Sequence, residues 1–200
     1  MEKVITGNVF DKYNTKNPVY RYLMKRFFEA LLKPLEETKG NFSVLEIGCG
    51  EGLLAREIGE RFQNVKYTGF DIEEEIVAQA KSNFPAGNFF VGNVFQVDEF
   101  IENEFDYVIV SEVLEHIDKP SVALEKISGI KAKQFILSVP HEPWWRLLNM
   151  LRLHYLTDFG NTPGHLQHWS HRSFGKLVRK HFANVKSFKV FPWNVAYCKR

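Results

Sequence analysis

The residues best suited to chemistry stand together at Glu46-Ile47-Gly48-Cys49-Gly50-Glu51-Gly52. Three glycines at alternate positions remove Cβ atoms, so the backbone can turn sharply and lie close to a ligand. A helix starting directly after them offers unpaired N–H groups at its first turn. The spacing is G-x-G-x-G, whereas the dinucleotide fingerprint G-x-G-x-x-G needs a glycine where this sequence has Leu53. Glu46, two residues before the first glycine, repels phosphate and suits an ammonium group such as that of an amino acid. A plain strand-to-helix turn is the structural alternative, but three alternating glycines have few purely structural uses.

Other candidates follow at regular intervals. Asp71 lies about twenty residues further on, where nucleotide-binding sheets place an acid on ribose hydroxyls. It is equally placed to cap a helix beginning near Glu73. Gly92-Asn93-Val94-Phe95 offers an amide for the adenine amino group and apolar surface for its ring; an ordinary turn explains it too. Ser111-Glu112-Val113-Leu114-Glu115-His116 is a polar cluster directly after an apolar run. Helix capping by Ser111 with surface carboxylates is the alternative there. Residues 140–170 carry His141, His154, His165 and His168 with Trp144, Trp145 and Trp169.

These groups need elements to position them. Apolar residues at helical intervals predict a helix over about 18–37. Strands are predicted at 43–47, 65–70, 88–91, 105–110 and 134–139, with helices at 53–62, 73–84 and 121–128. Such alternation predicts a parallel sheet covered on both faces. Ligands of such a sheet bind at the carboxyl ends of its strands, where the candidates above fall. A last helix at 170–182 precedes strands at 185–191 and 195–199. Only Pro192-Trp193-Asn194 separates that pair, so it must form an antiparallel hairpin.

Composition bounds the rest. The chain has 200 residues, 44% hydrophobic and 25% charged, enough for one α/β domain with a full core. Aromatic content is 14%, with 18 Phe, and suits either core filling or a pocket for a flat or apolar ligand. A formal charge of +2 argues against nucleic-acid binding. No apolar run is long enough to span a bilayer, and residues 1–7 lack an apolar signal core. The two cysteines, Cys49 and Cys198, have no metal-type spacing. A reduced, cytoplasmic protein is expected.

Val-Leu-Glu-Ile-Gly-Cys-Gly-Glu-Gly at 44–52, Gly69-Phe70-Asp71, and Phe105-Asp106-Tyr107-Val108-Ile109-Val110-Ser111-Glu112-Val113-Leu114-Glu115-His116-Ile117 together resemble the class I S-adenosylmethionine (SAM)-dependent methyltransferases. The resemblance covers about residues 40–140. It implies a Rossmann-like, doubly wound α/β sheet of seven strands in the order 3-2-1-4-5-7-6, with strand 7 antiparallel. It implies SAM as methyl donor and S-adenosylhomocysteine as product. Glu46, Gly48, Cys49, Gly50 and Gly52 would meet the methionine portion, Asp71 the ribose and Ile72 the adenine. Asn93 and Val94 would sit at the adenine edge, and Ser111 beside the reactive methyl. Glu112-x-x-Glu115-His116 resembles a motif of quinone-pathway O-methyltransferases that has been linked to a divalent cation; two carboxylates and one His are an incomplete shell, and no metal is expected.

The implied reaction is methyl transfer to a small molecule, with oxygen the favoured acceptor atom. An oxygen acceptor calls for a base, and His is the usual choice. His141 comes first, because it follows strand 5, then His168; His116 and Ser111 complete the set. The whole chain is expected to form one domain, with a cap helix at about 18–37 and a lid-like insertion at about 141–169. Its partners are expected to be a small-molecule acceptor and at most a second copy of the chain, with no nucleic acid and no stable membrane insertion. Two other functions fit the same residues. One is a SAM-binding accessory protein without turnover. The other is an enzyme acting on a lipid or quinone at a membrane surface, suggested by the apolar stretch 144–156 with its two arginines.

Overall fold

The computed structural model describes residues 17–151, 161–162 and 164–200; Tyr13, Arg152, His154 and Leu156 fall outside them. The first helix, α1, is Pro18–Glu36. Asn17 starts it: its side-chain oxygen accepts the Val19 N–H at 3.0 Å and the Tyr20 N–H at 3.4 Å. Pro18 follows, where a missing N–H costs nothing. The buried stripe is Met24, Phe27, Phe28, Leu31, Leu32 and Leu35. Tyr22 is exposed and lies under the Arg26 guanidinium.

The strands are β1 (Phe42–Ile47), β2 (Val65–Asp71), β3 (Asn88–Val91), β4 (Phe105–Ser111), β5 (Ala132–Pro140), β6 (Asn184–Val190) and β7 (Trp193–Lys199). Between them run α2 (Leu53–Arg61), α3 (Glu74–Asn83), α4 (Val97–Phe100), α5 (Pro120–Gly129), α6 (Trp144–Leu151) and α7 (His171–Val178). The sheet order is β3-β2-β1-β4-β5-β7-β6. β7 runs antiparallel to both β5 and β6, and all other pairs are parallel. The seven-stranded, doubly wound α/β sheet expected from the sequence is therefore the observed one.

Each face of the sheet buries its own core. One joins α1, α2 and α3 to Val44, Tyr67, Ile109, Ile136 and Trp193. The other sets α5 and α7 against Leu45, Ile47, Val108, Val110, Leu137 and Val139. Alternate residues along a strand point to opposite faces, so buried runs such as Val108-Ile109-Val110 supply both cores at once. Register between β1 and β4 is locked near the amino ends: Asp106 accepts the Ser43 N–H at 2.7 Å and the Ser43 hydroxyl at 3.0 Å.

Element ends agree with the sequence reading or differ from it by up to four residues, as caps and pairing decide them. The last helix stops at Val178, not Phe182. The last turn is tighter than expected, because Trp193 and Asn194 pair with Val190 and Lys189 inside the hairpin, leaving Phe191-Pro192 as its tip. The short helix α4 was not anticipated; four residues are too few for a periodic signal.

The Phe27 ring stacks on Trp193 at 4.4 Å, and Trp193 is fully enclosed. That contact ties α1 to β7. Phe27→Ala is expected to cost about 3–5 kcal/mol of stability, read from urea unfolding. A loss below about 1 kcal/mol would show that α1 is not anchored there.

Candidate functional site

The glycine loop is held by the end of the neighbouring strand. The Gly48 and Cys49 N–H groups both donate to the Phe70 carbonyl, at 2.9 and 3.0 Å. The Gly50 N–H donates to Asp71 Oδ2 at 2.9 Å, and the Ile72 N–H to Asp71 Oδ1 at 2.7 Å. Asp71 therefore braces the loop and caps no helix; α3 begins after Glu73, which makes no side-chain cap. Each Asp71 oxygen accepts one backbone N–H and has capacity for a second donor.

Two glycines need their special backbone for different reasons. Gly52 has φ +73°, and a Cβ there would lie 2.9 Å from the Ala80 Cα, so this glycine lets α2 pack on α3. Gly50 has φ +51° and nothing within 4 Å of a would-be Cβ. Its bare face opens outward beside Asp71. Gly52 also precedes α2 without any side-chain cap, so the helix presents backbone donors here.

Glu46 sits on the α1 face of β1 and is 3% exposed. The Tyr67 hydroxyl donates to its Oε2. Burial is the main cause that lifts its carboxyl to about 8; the Tyr67 bond opposes that rise and Asp71 adds to it. The carboxyl is thus poised to ionise when a cation arrives. The Cys49 thiol is pushed far up by burial, then by Glu46 and Asp71, which rules out a thiolate nucleophile near neutral pH.

At the next strand ends, the Asn93 side chain accepts the Phe95 N–H at 3.0 Å and opens a single turn at Val94–Gln96. Val94 packs into the α5 core. Ile72, beside Asp71, is a large apolar side chain left exposed. Ser111 ends β4, and its hydroxyl lies 3.0 Å from that of Ser138 on β5. It caps no helix; a single turn at Leu114–His116 follows instead.

The polar cluster after β4 divides in two. Glu112 takes φ +59° and turns back, accepting the Trp193 indole N–H at 2.9 Å. Glu115 is buried, and its backbone carbonyl accepts the Leu166 and Gln167 N–H groups at 2.8 and 3.0 Å. His116 Nδ1 lies 3.0 Å from the Gly164 carbonyl. A carbonyl cannot donate, so Nδ1 carries the proton and, in the neutral ring, Nε2 carries the lone pair. The His165 ring stands edge-on to His116, with centroids 4.9 Å apart.

Glu115, His116 and His165 have ligand-type atoms within 4.8 Å of one another. The sequence motif suggested Glu112 in this set. The structure directs Glu112 to Trp193 and brings His165 in its place.

His141 is buried, and its N–H donates to the Pro192 carbonyl at 2.9 Å. It has the parity of Val139 and so points to the α7 face, opposite Ser111 and Ser138. Burial first, then Lys189 and His171, lower its pKa below the ordinary 6.5. His168 Nδ1 lies 3.7 Å from Glu142, whose carboxyl is raised chiefly by burial. The four predicted catalytic residues thus fall into two groups. Ser111 and His116 share the end of β4, whereas His141 and His168 belong to the joint between β5, Trp169 and α7.

A family model described as a methyltransferase domain matches residues 17–185. The chain belongs to the methyltransferase family. An uncharacterized methyltransferase of Mycobacterium bovis is 29% identical over 104 residues, covering 52% of this chain and 51% of that protein. A ubiquinone biosynthesis O-methyltransferase of Dechloromonas aromatica is 38% identical over 82 residues, covering 39% and 34%. The chain spans about half the length, or less, of these curated relatives. The magnesium protoporphyrin IX methyltransferase from Synechocystis PCC 6803, solved with bound S-adenosylhomocysteine, shares the fold at TM-score 0.64 and 16% identity, covering 94% of this chain and 89% of that one.

Membership makes SAM the methyl donor. The residues present fit it: a buried carboxyl for its ammonium, a braced aspartate with acceptor capacity for hydroxyls, and an exposed isoleucine for a flat ring. Glu46 yields a prediction that needs no ligand. A carboxyl raised from 4.5 to about 8 on folding favours the folded state below its unfolded value, and that contribution is lost as pH rises through about 8. Glu46→Gln is expected to flatten the decline of the thermal midpoint between pH 5 and 8, leaving it equal or higher at pH 8. A variant that melts lower throughout would contradict the assignment.

Proposed function

We propose that this methyltransferase transfers the SAM methyl group to an oxygen atom of a small-molecule acceptor, with His116 as the base. His116 carries the proposal, because its Nδ1–H is held by the Gly164 carbonyl and its lone pair is thereby assigned to Nε2, at the strand end shared with Ser111. A backbone carbonyl here does what a carboxylate does for many catalytic histidines: it fixes tautomer and ring orientation. His141 is the weaker candidate, since it points to the other face. The Glu142–His168 pair is read as a structural tie of the segment after β5.

In this reading Glu46 ionises to hold the ammonium of the donor, and Asp71 takes the ribose hydroxyls while it braces Gly50. Ile72, Asn93 and Val94 border the adenine. When bound, SAM supplies a sulfonium methyl that is already activated. The chain's task is alignment and proton removal. The Ser111–Ser138 hydroxyl pair gives the acceptor a polar contact at the sheet edge. His116 Nε2 would take the acceptor's hydroxyl proton as the oxygen–carbon bond forms and the sulfonium carbon–sulfur bond breaks, its electron pair leaving with S-adenosylhomocysteine. The segment 164–167, fixed to the carbonyl of Glu115, forms one wall of the acceptor site, and α1 closes the α1 face. One relative is named as a ubiquinone biosynthesis O-methyltransferase, which supports an oxygen acceptor. A protein that binds SAM without turnover has no need for a base held in one tautomer, which favours the enzymatic reading.

Two measurements test this. SAM affinity, followed by calorimetric titration, is expected to rise between pH 6 and 8 as Glu46 becomes easier to ionise, and Glu46→Gln is expected to abolish that rise. Asp71→Asn is expected to weaken binding by roughly 10–100-fold. With a panel of phenolic acceptors and release of S-adenosylhomocysteine as readout, His116→Ala is expected to lower kcat by about 10²–10⁴ at unchanged SAM affinity. Raising pH should recover part of the loss as the acceptor hydroxyl ionises. Full turnover in the variant would exclude His116 as base. No turnover by the wild type across the panel, with SAM bound, would favour the accessory reading.

A further inference from the structure

Charge is distributed unevenly along this chain. Residues 159–200 hold eight Lys and Arg and no Asp or Glu, whereas the preceding 158 hold eighteen against 24 acids. All eight are exposed. Among the described residues none of the eight pairs with a carboxylate. Arg172 and Lys176 on α7 and Arg179 at its C-cap recur at i, i+4 and i+7, away from the buried Phe174 and Val178. Arg179 donates to the Ser187 hydroxyl at 3.3 Å, joining this stripe to the edge strand β6, which adds Lys189 on the same face. The small overall charge of +2 conceals this one-sided surface.

A second observation concerns the same edge of the sheet. Trp144, Leu147 and Met150 lie three residues apart on α6 and are 46%, 42% and 37% exposed, while Trp145 on its inner side is buried. Phe191, at the tip of the β6–β7 hairpin, is 45% exposed and meets the Trp144 ring edge-on at 6.2 Å. Two elements distant in sequence thus converge to expose large apolar side chains, a pattern that marks an interaction surface. α6 follows the carboxyl end of β5, and the hairpin tip lies beside it. This is the edge that carries Asp71 and Ser111. Lys189 is two residues from Phe191. Arg172 stands in the first turn of α7, just after Trp169, which pairs with His141 at the same edge.

We propose that this edge docks on an anionic lipid bilayer, so that the acceptor of the methyl group is a lipophilic molecule drawn from that membrane. Trp144, Leu147, Met150 and Phe191 enter the interface, and Lys189 and Arg172 face the headgroups. The acceptor clause rests on the methyl-transfer reading above; the docking surface does not. Aromatic and aliphatic residues beside cations are the composition of interfacial binding. A nucleic-acid backbone would use the cations but gain nothing from exposed Leu147 and Met150. The cations act unequally. α7 advances about 9 Å from Arg172 to its end at Val178, past a Debye length of about 8 Å, so Arg179 and Lys180 beyond that end contribute little and Arg172 and Lys189 contribute most. Among the described residues no helix is long and apolar enough to cross a membrane, and docking of this kind needs none.

The test is co-sedimentation of the full chain with vesicles of phosphatidylcholine alone or of equimolar phosphatidylcholine and phosphatidylglycerol, with SAM affinity measured in parallel. Binding is expected to the anionic vesicles only and to weaken with salt. The double variants Trp144→Ser with Phe191→Ser, and Arg172→Glu with Lys189→Glu, are each expected to weaken it at least about tenfold at unchanged SAM affinity. Failure of the wild type to sediment with anionic vesicles overturns the proposal. So does binding that survives loss of the two aromatics, or that single-stranded polynucleotide competes away at lower charge concentration than the vesicles. Vesicle binding without SAM binding would leave the docking surface standing and remove the methyl-transfer reading instead.

Discussion

The site depends first on how the end of β2 grips the loop after β1. Phe70 offers one carbonyl to two successive N–H groups, and Asp71 offers one carboxylate oxygen to a third. A loop with three positive-φ glycines is expensive to order, because glycine loses the most backbone freedom on folding. Those hydrogen bonds offset that cost by fixing the loop to a strand that two neighbours already hold. They also orient Asp71 before any ligand arrives. The arrangement requires the parallel β1–β2 register, in which Ile47 stands opposite Phe70. A one-residue slip of either strand against the other would put Glu46 and Asp71 on opposite faces. The sheet's pairing and the preorganised donor site are thus a single constraint.

The same register sorts the polar residues of the site. Glu46 shares parity with Val44, and Ser111 with Ile109, so both face α1. The buried Ser138 meets Ser111 there. Glu46 is buried on this face beside Tyr67, where removal from water lowers the local dielectric. The raised carboxyl is therefore a consequence of the packing that builds the core on this side. Trp193 serves twice: its ring completes the α1 packing, and its indole N–H holds Glu112 in a left-handed conformation.

The fold was largely legible because strand-ending glycines, apolar runs and helix starts are local signals. The G-x-G-x-G spacing, Asp71 and the run before Ser111 named the strand ends of the donor half, and strand alternation supplied the layer order. The acceptor half was less legible for a physical reason. Its geometry depends on contacts between residues remote in sequence, such as His116 with Gly164 and Glu112 with Trp193. The motif Glu112-x-x-Glu115-His116 placed its two carboxylates together. The positive φ at Glu112 separates them, and no pattern in the neighbouring residues announces that turn. His141 looked favourable because it follows β5 directly, but strand parity carries it to the other face. Counting two residues at a time from Ser138 would have exposed this, once the strand was known to continue through Pro140.

Parity also bears on why the acceptor side gathers at one end of the sheet. β7 is antiparallel, so the hairpin tip at Phe191-Pro192 returns to the carboxyl edge that the parallel strands define. α6 and the start of α7 are delivered to that edge by β5 and by the His141–Trp169 pairing. The reversed strand therefore does more than close the sheet. It carries a second set of side chains up to the edge where the methyl donor belongs, on the side away from β3. A fold with a parallel seventh strand would begin that strand at the opposite edge and leave α6 without Phe191 to pack against. The donor half can stay the same while this other half changes, because the two are linked through the β4 strand end and not through a shared loop. Ser111, Glu112 and His116 stand at that junction, so in the proposed reading one short segment bears both on the methyl donor and on the acceptor.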